Sequence, residues 1–343
     1  MQELTETEAK AQGEAPKSSK YWQNQIDASL KREKKWRDRS EKVVSRYLDE
    51  RDDSFADDHS SRRINILWSN TEVLESILFS HLGSPDVRRT YPQPGEANKI
   101  ARVAALVLER SLVACANRYD LEGEIEDAVT DYLLSGRGQL WVEYDAEIVT
   151  DQAGQEKIGY QQVKLVHVPY DEWTHGAGKK WRQVPWVGRM HLFTKDDFKR
   201  EFPDIDLEVQ KVPFNFMLKE GEKRTDDQGA SDFKRAKVWE IWDKNSMTRI
   251  YVAEGYDWEL ERTQDPYKLE SFFPCPEPLY GIKTPDRLIP TPEYTQYQDQ
   301  ASELDTLNQR IFMLVSTLKY CGVYDGSGED ADGTLANLGN LND

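Results

Sequence analysis

The chain has 343 residues, 62 acidic against 45 basic, and a formal net charge of −17. That length allows a sizeable core spread over two or three domains. The acidic balance excludes a protein that grips nucleic acid over its whole surface, because neutralising phosphate needs clustered cations. The three cysteines, Cys115, Cys275 and Cys321, are widely spaced and form neither a disulfide framework nor a metal-ligand pattern. No apolar run approaches the ~20 residues of a membrane span, and the N-terminus lacks a signal-peptide core. The expectation is a soluble intracellular protein in a reducing compartment. Ten Trp and sixteen Tyr suit a large assembly with aromatic anchors at its contacts, or ordinary core packing.

In chain order, residues 1–20 are polar and predict disorder. Helical periodicity starts near Tyr21, with Trp22, Ile26, Leu30, Trp36, Val43, Tyr47 and Leu48 sharing a face. The charged run at 31–39 (KREKKWRDR) predicts a solvated face rather than a nucleic-acid patch, since acids interleave it. An acidic linker follows. Residues 64–82 then read as a mostly apolar helix stopped by Gly83-Ser84-Pro85, and a short extended piece runs from Asp86 to Tyr91. Residues 97–119 predict a helix with Ile100, Val103, Ala104, Val107 and Leu108 inward. Residues 122–134 predict another, with Ile125, Val129, Tyr132 and Leu133 inward. The three helices are expected to pack as one layer.

Gly136-Arg137-Gly138 breaks the helical pattern, and QLWVEYD alternates as a strand. Further strands are expected at 158–168, 187–193, 238–243 and 249–253. A short helix capped by Thr194 and stopped at Pro203 interrupts them, and 219–235 reads as an exposed loop. Past a proline-studded stretch comes a helix of about 28 residues, roughly 42 Å long. Its seam, Tyr297, Ala301, Leu304, Asn308, Ile311, Val315 and Leu318, alternates by four and three residues, the 3.5-residue period of helix-on-helix packing. Leu307 and Leu314 widen the seam. A helix this long calls for a partner outside its own short stretch of chain.

The histidines (His59, His81, His167, His175, His191) show no metal spacing. GAGKK at 176–180 lacks the upstream Gly of a phosphate loop and has Lys180 where Ser or Thr would hold magnesium, so it predicts a basic turn between strands. The GRG at 136–138 follows a helix rather than a strand, which excludes a dinucleotide fingerprint. Glu240 with Asp243, and Glu143 with Asp145, could be drawn as catalytic pairs, but nothing distinguishes them from solvated strand residues. No cofactor, no metal site and no catalytic residue is expected.

Several segments together resemble a bacteriophage portal protein, the head-to-tail connector, of the large type found in short-tailed phages. They are WSNTEVL at 68–74, DAVTDYLLSGRGQLWVEYD at 127–145, VHVPYDEWTHGAGKKWRQVPWVGRMHLFTKDDFKREFP at 166–203, VWEIWDK at 238–244 and PLYGIKTPDRLIPTPEYTQYQDQASELDTLNQRIFMLVSTLKYCGVYD at 278–325. The resemblance runs from about residue 20 to 325. It implies an α+β, portal-like fold: a disordered 1–20, a helical wing at 21–135, a strand-rich wing at 136–270, a connector at 271–292, a stem helix at 293–320 and the start of a clip at 321–343. It further implies that the chain stops within the clip and corresponds to the N-terminal portion of such a protein.

Portals assemble as dodecamers at one capsid vertex, pass double-stranded DNA non-specifically, and dock the terminase large subunit and a tail adaptor. Capsid and scaffolding proteins are the remaining implied partners, and the virion and host cytoplasm the implied locations. By that resemblance the stem seam forms the subunit interface. Asp299, Glu303 and Asp305 are candidates for channel-facing acids that keep DNA from adhering within a Debye length of ~8 Å. A truncated prophage remnant, a helical adaptor binding one partner helix, and an enzyme acting through some of the carboxylates are the competing readings.

Overall fold

The computed structural model describes residues 18–50, 64–88, 96–150, 156–205, 212–217 and 234–317. Most of the expected loop at 219–235, the acidic linker at 51–63, most of the expected N-terminal tail, Leu318 and the clip segment lie outside them; the loop's last two residues, Lys234 and Arg235, instead begin a strand.

Helix α1 (Ser19–Tyr47) is capped by Ser18, so residues 18–20 belong to the helix and not to a tail. Its buried positions, Ser19, Trp22, Ile26, Ser29, Glu33, Trp36, Ser40 and Val43, step by three and four residues along one face. The serines let the helix lie close to its neighbours. Ser29 Oγ, for example, is 2.7 Å from both Thr174 Oγ1 and the His175 carbonyl oxygen. Leu48, expected on this face, is exposed, because it stands at the helix end where the chain turns away.

Helices α2 (Ile66–Leu78) and α4 (Leu121–Ser135) pack beside the C-terminal half of α1. Asn65 caps α2 and also donates from Nδ2 to the Tyr47 carbonyl at 2.8 Å, which joins its start to the end of α1. α2 ends earlier than expected. Phe79 is extended, and the Leu82 amide donates to Glu122 Oε1 at 2.7 Å, so the segment after α2 is bound to the first turn of α4. Gly136 ends α4 in a left-handed conformation (φ 84°), where its amide donates to the Tyr132 carbonyl at 3.0 Å.

Helix α3 (Glu96–Arg118) departs most from expectation. Ile100, Val103, Ala104, Val107 and Leu108, expected inward, are all exposed. Its main contact is with the β2–β3 hairpin rather than with α2 and α4, so the three helices do not form one layer. Periodicity groups these residues on one apolar face, but it does not decide whether that face turns inward, and here it is exposed.

The main sheet is antiparallel in the order β4 (Trp173–His175), β5 (Trp186–Phe193), β7 (Lys234–Asp243), β8 (Thr248–Ala253) and β9 (Glu259–Gln264), with β6 (Phe216–Met217) paired to the start of β7. β7 and β8 are buried on both faces. Trp239, Ile241, Ile250 and Val252 meet Trp22 and Ile26 of α1. On the other face Ala236, Val238, Tyr251 and Ala253 meet Phe198 and Phe202 around α5 (Lys195–Glu201). α5 is capped as expected, with Thr194 Oγ1 accepting from the Asp197 amide at 3.1 Å. A third apolar group joins Trp141, Trp173, Val187 and Trp242 to Phe272, Phe273, Cys275 and Leu288. It binds the segment before the last helix onto the sheet.

Two smaller pairings flank the sheet. β2 (Leu140–Thr150) and β3 (Glu156–His167) make a long hairpin, and β1 (Arg137–Gly138) pairs with β10 (Leu279–Tyr280). Gly138 lies so close to α4 that a Cβ there would sit 2.0 Å from the Ala128 carbonyl oxygen. The short strands β1, β4, β6 and β10, together with β9, were not anticipated. They are too short for period-2 patterning or, in β9 (ELERTQ), polar on both faces.

Candidate functional site

The chain's last described helix, α6 (Gln298–Thr317), follows a 3-10 turn at Glu293–Gln296, so regular α-helix begins five residues later than expected. Tyr294 and Tyr297 meet edge to face at 5.1 Å and pack on a cluster of Val43, Leu67 and Leu134. Ala301 is buried. One turn further, Asp305 receives Arg46 Nη2 at 2.6 Å and the Ile64 amide at 3.0 Å. These contacts tie the N-terminal half of α6 to the α1–α2 corner.

The predicted seam therefore divides. Tyr297 and Asn308 are half-buried and Ala301 is buried, whereas Leu304 is on the margin and Ile311 and Val315 are 58 % and 59 % exposed. Leu307 beside them is exposed too. Of the acids considered for a channel wall, Asp299 and Glu303 are exposed, and Asp305 is instead half-buried in its ion pair with Arg46. Two other apolar rows reach the surface: Trp68, Val73 and Ile77 on α2, and Ile100, Val103 and Val107 on α3, with Ile77 71 % and Ile100 73 % exposed. Covering a side chain of this size is worth about 1.5–3 kcal/mol.

A buried charge cluster that sequence reasoning missed joins α1 to β1 and β4. Glu33, placed with the solvated run, is fully buried. Its carboxylate accepts from Arg137 Nη1 at 3.3 Å and Arg37 Nη2 at 3.0 Å and stands 3.6 Å from His175 Nε2. Arg137 also donates to the carbonyls of Tyr170 and Trp173, at 2.9 and 3.0 Å. Its guanidinium lies between the rings of Trp36 and Trp173, 4.2 and 4.6 Å from their centroids. Burial alone would raise the Glu33 pKa, but Arg137, His175 and Arg37 outweigh it and hold the carboxyl below its usual range. Burial pushes His175 down to about 4, with Arg137 and Arg32 adding to the effect against Glu33, so the ring is neutral at pH 7. The signal was present in the sequence: Glu33 falls on the same three-and-four step as Trp22, Ile26 and Trp36.

The remaining polar groups considered for chemistry are engaged structurally. His191 Nε2 and Trp242 Nε1 both lie 2.9 Å from the Glu240 carboxylate. Asp243 accepts from the Asn245 amide and Ser246 hydroxyl in the β7–β8 turn, at 3.2 and 2.8 Å. Glu143 pairs with Arg189, and Asp145 with Lys164 at 3.2 Å. His167 Nε2 is 2.9 Å from Asp131. GAGKK starts the β4–β5 connection, and Gly136-Arg137-Gly138 joins α4 to β1. His81 lies beside Ser80, and His59 is outside the described residues.

Among the described residues no three His, Cys, Asp or Glu are placed to share a metal ion, and no helix is long and apolar enough to cross a membrane. The fold combines helices and antiparallel sheet, as expected of an α+β chain. In comparisons with known proteins, no family model matches the chain and no curated protein matches it.

Proposed function

We propose that this chain is a non-catalytic structural subunit of a portal-type ring, which forms the channel through which double-stranded DNA enters and leaves a phage capsid. The observation that carries the reading is the division of α6. Its first half is bonded to its own chain through Tyr297, Ala301 and Asp305, and its second half presents Ile311 and Val315 to solvent. A second apolar surface, on α2 and α3, lies on other elements. Two different surfaces that need covering suit a heterologous contact, in which one face of a subunit meets another face of the next and repetition closes a ring. The resemblance of the sequence segments to portals supplies the identity of that ring. In it α6 is the stem, and the wing comprises the sheet with its helices. The terminase, tail adaptor, capsid and scaffolding proteins are the partners, and the capsid vertex is the location.

Light scattering on the purified chain across a concentration series tests this. The expected result is a concentration-dependent ring-sized species, lost in Ile311→Glu and in Ile100→Glu while circular dichroism stays unchanged. A monomer at every concentration overturns the proposal. So does a discrete dimer, which favours a helical adaptor.

A further inference from the structure

The β4–β5 connection concentrates positive charge in a chain where acids outnumber bases 62 to 45. Lys179, Lys180 and Arg182 stand exposed within it, Arg287 is exposed on the facing segment, and Arg32 reaches the same place from α1. Arg32, Lys179, Gln183 and Arg287 line an open basin of about 680 Å³. One carboxylate, Asp286, also lines it; the Thr284 hydroxyl donates to it and Arg287 Nε stands 3.9 Å away.

This loop is built rather than loose. His175 Nδ1 lies 2.7 Å from the Gly176 carbonyl oxygen, and the Gly176 amide donates to the Trp186 carbonyl at 2.8 Å. A Cβ on Gly176 would fall 2.7 Å from the Pro185 ring, so only glycine fits there. Trp181 stacks on the buried Trp173 with ring centroids 6.2 Å apart, and Gln183 Oε1 accepts from the Lys179 amide at 3.3 Å. Arg32 is fixed by Nη2, which donates to the His175 carbonyl at 2.6 Å and to Ser29 Oγ at 2.9 Å. Its other guanidinium nitrogens make no hydrogen bond among the described residues, which leaves them available at the basin wall.

We infer that this basin binds phosphate oxyanions, with the backbone of duplex DNA as the ligand. Guanidinium forks from Arg32 and Arg287 match the paired oxygens of a phosphate, and Lys179, Lys180 and Arg182 add point charges for its neighbours along a strand. The lining offers three cations, one side-chain amide and the single carboxylate of Asp286, without a helix or ribbon shaped to enter a groove, so recognition is of backbone and independent of sequence. Free phosphate shares the same chemistry. The site is assembled within one chain and does not depend on ring formation.

Fluorescence anisotropy of a labelled duplex titrated with the full chain tests it, starting at about 50 mM salt and repeated at rising salt. Expected is saturable binding that weakens with salt, with K179A/R287A at least about 10-fold weaker and its salt slope shallower by about one to two. A control pair of equal charge loss elsewhere, K34A/K199A, should stay within about 2-fold, and circular dichroism checks that all variants are folded. A second arm titrates inorganic phosphate by calorimetry at constant ionic strength. Phosphate binding that is lost in K179A/R287A, without duplex binding, upholds the basin with free phosphate as its ligand. No binding in either arm overturns the inference, as does equal weakening by the control pair. Polyglutamate of matched charge binding as tightly as the duplex, with the same loss in K179A/R287A, overturns it in favour of an acidic polypeptide.

Discussion

Replacing Glu33 by Met tests the view that the α1–α4–sheet junction is organised by buried charge. Arg137 is fully buried, and its guanidinium keeps the Tyr170 and Trp173 carbonyls and two indole faces after the change, but no counter-charge of comparable burial. At the observed 3.3 Å and an effective dielectric of about 20, the lost attraction is ~5 kcal/mol, and breaking buried pairs costs about 3–5 kcal/mol in practice. That is a large fraction of the ~5–15 kcal/mol stability of a typical domain. The double variant E33M/R137M should cost less than E33M alone, because no fully buried unpaired charge remains and Arg37, which is partly exposed, still donates to the Trp173 carbonyl at 2.7 Å. A coupling of about 2 kcal/mol or more is expected from the cycle. Urea unfolding followed by tryptophan fluorescence measures it, with Trp36 and Trp173 as direct reporters. A cost below about 1 kcal/mol for E33M, or a double variant as costly as the two singles added, would refute the reasoning.

Further outcomes follow from the same structure. His175 is neutral when folded, with its pKa at about 4, and titrates near 6.5 when unfolded; its contribution is therefore full above about pH 6.5 and is lost as pH falls towards 4. The loss should approach ~3 kcal/mol, and the lowered Glu33 pKa acts in the same sense at lower pH. Urea midpoints between about pH 7 and 4.5 should drop for the parent and drop less for His175→Gln; a midpoint that does not move contradicts the assignment. Gly138→Ala places a methyl group 2.0 Å from the Ala128 carbonyl oxygen and should cost about 3 kcal/mol or more, read as a lowered thermal midpoint; a shift of under a degree or two rules out the close approach. Asp305→Asn removes the charge partner of Arg46 and should weaken anchoring of α6 by about 1.5–3 kcal/mol. Hydrogen exchange should then speed up along α6 while β7 stays protected, and unchanged protection of α6 would show that the pair holds nothing.

Much of the fold was legible because it is local. α1 and α4 announce themselves through apolar spacing and α5 through Thr194 at its cap, and the longer strands β3, β5, β7 and β8 through runs of branched and aromatic residues. The apolar seam at 297–315 was legible for the same reason. Less visible were the short strands, which exist because a partner strand lies alongside and carry little pattern of their own. For the seam, spacing showed which residues share a face, but the boundary at Asp305 between what its own chain covers and what stays exposed depends on Arg46, 259 residues away.

Alone, then, the sequence determined where the main helices and the longer strands lie and which residues of each share an apolar face. Those properties are set by dihedral preference, capping and periodicity within a few residues. Tertiary structure alone decided which cations neutralise Glu33, that Arg137 sits between two tryptophans rather than in a simple chain break, and that α3 stands off α2 and α4. It also gathered Arg32, Lys179 and Arg287 around one basin. The reason is desolvation: a charge's environment is fixed by groups far away in sequence, and Glu33 meets Arg137, 104 positions further along, only once the chain has folded around them.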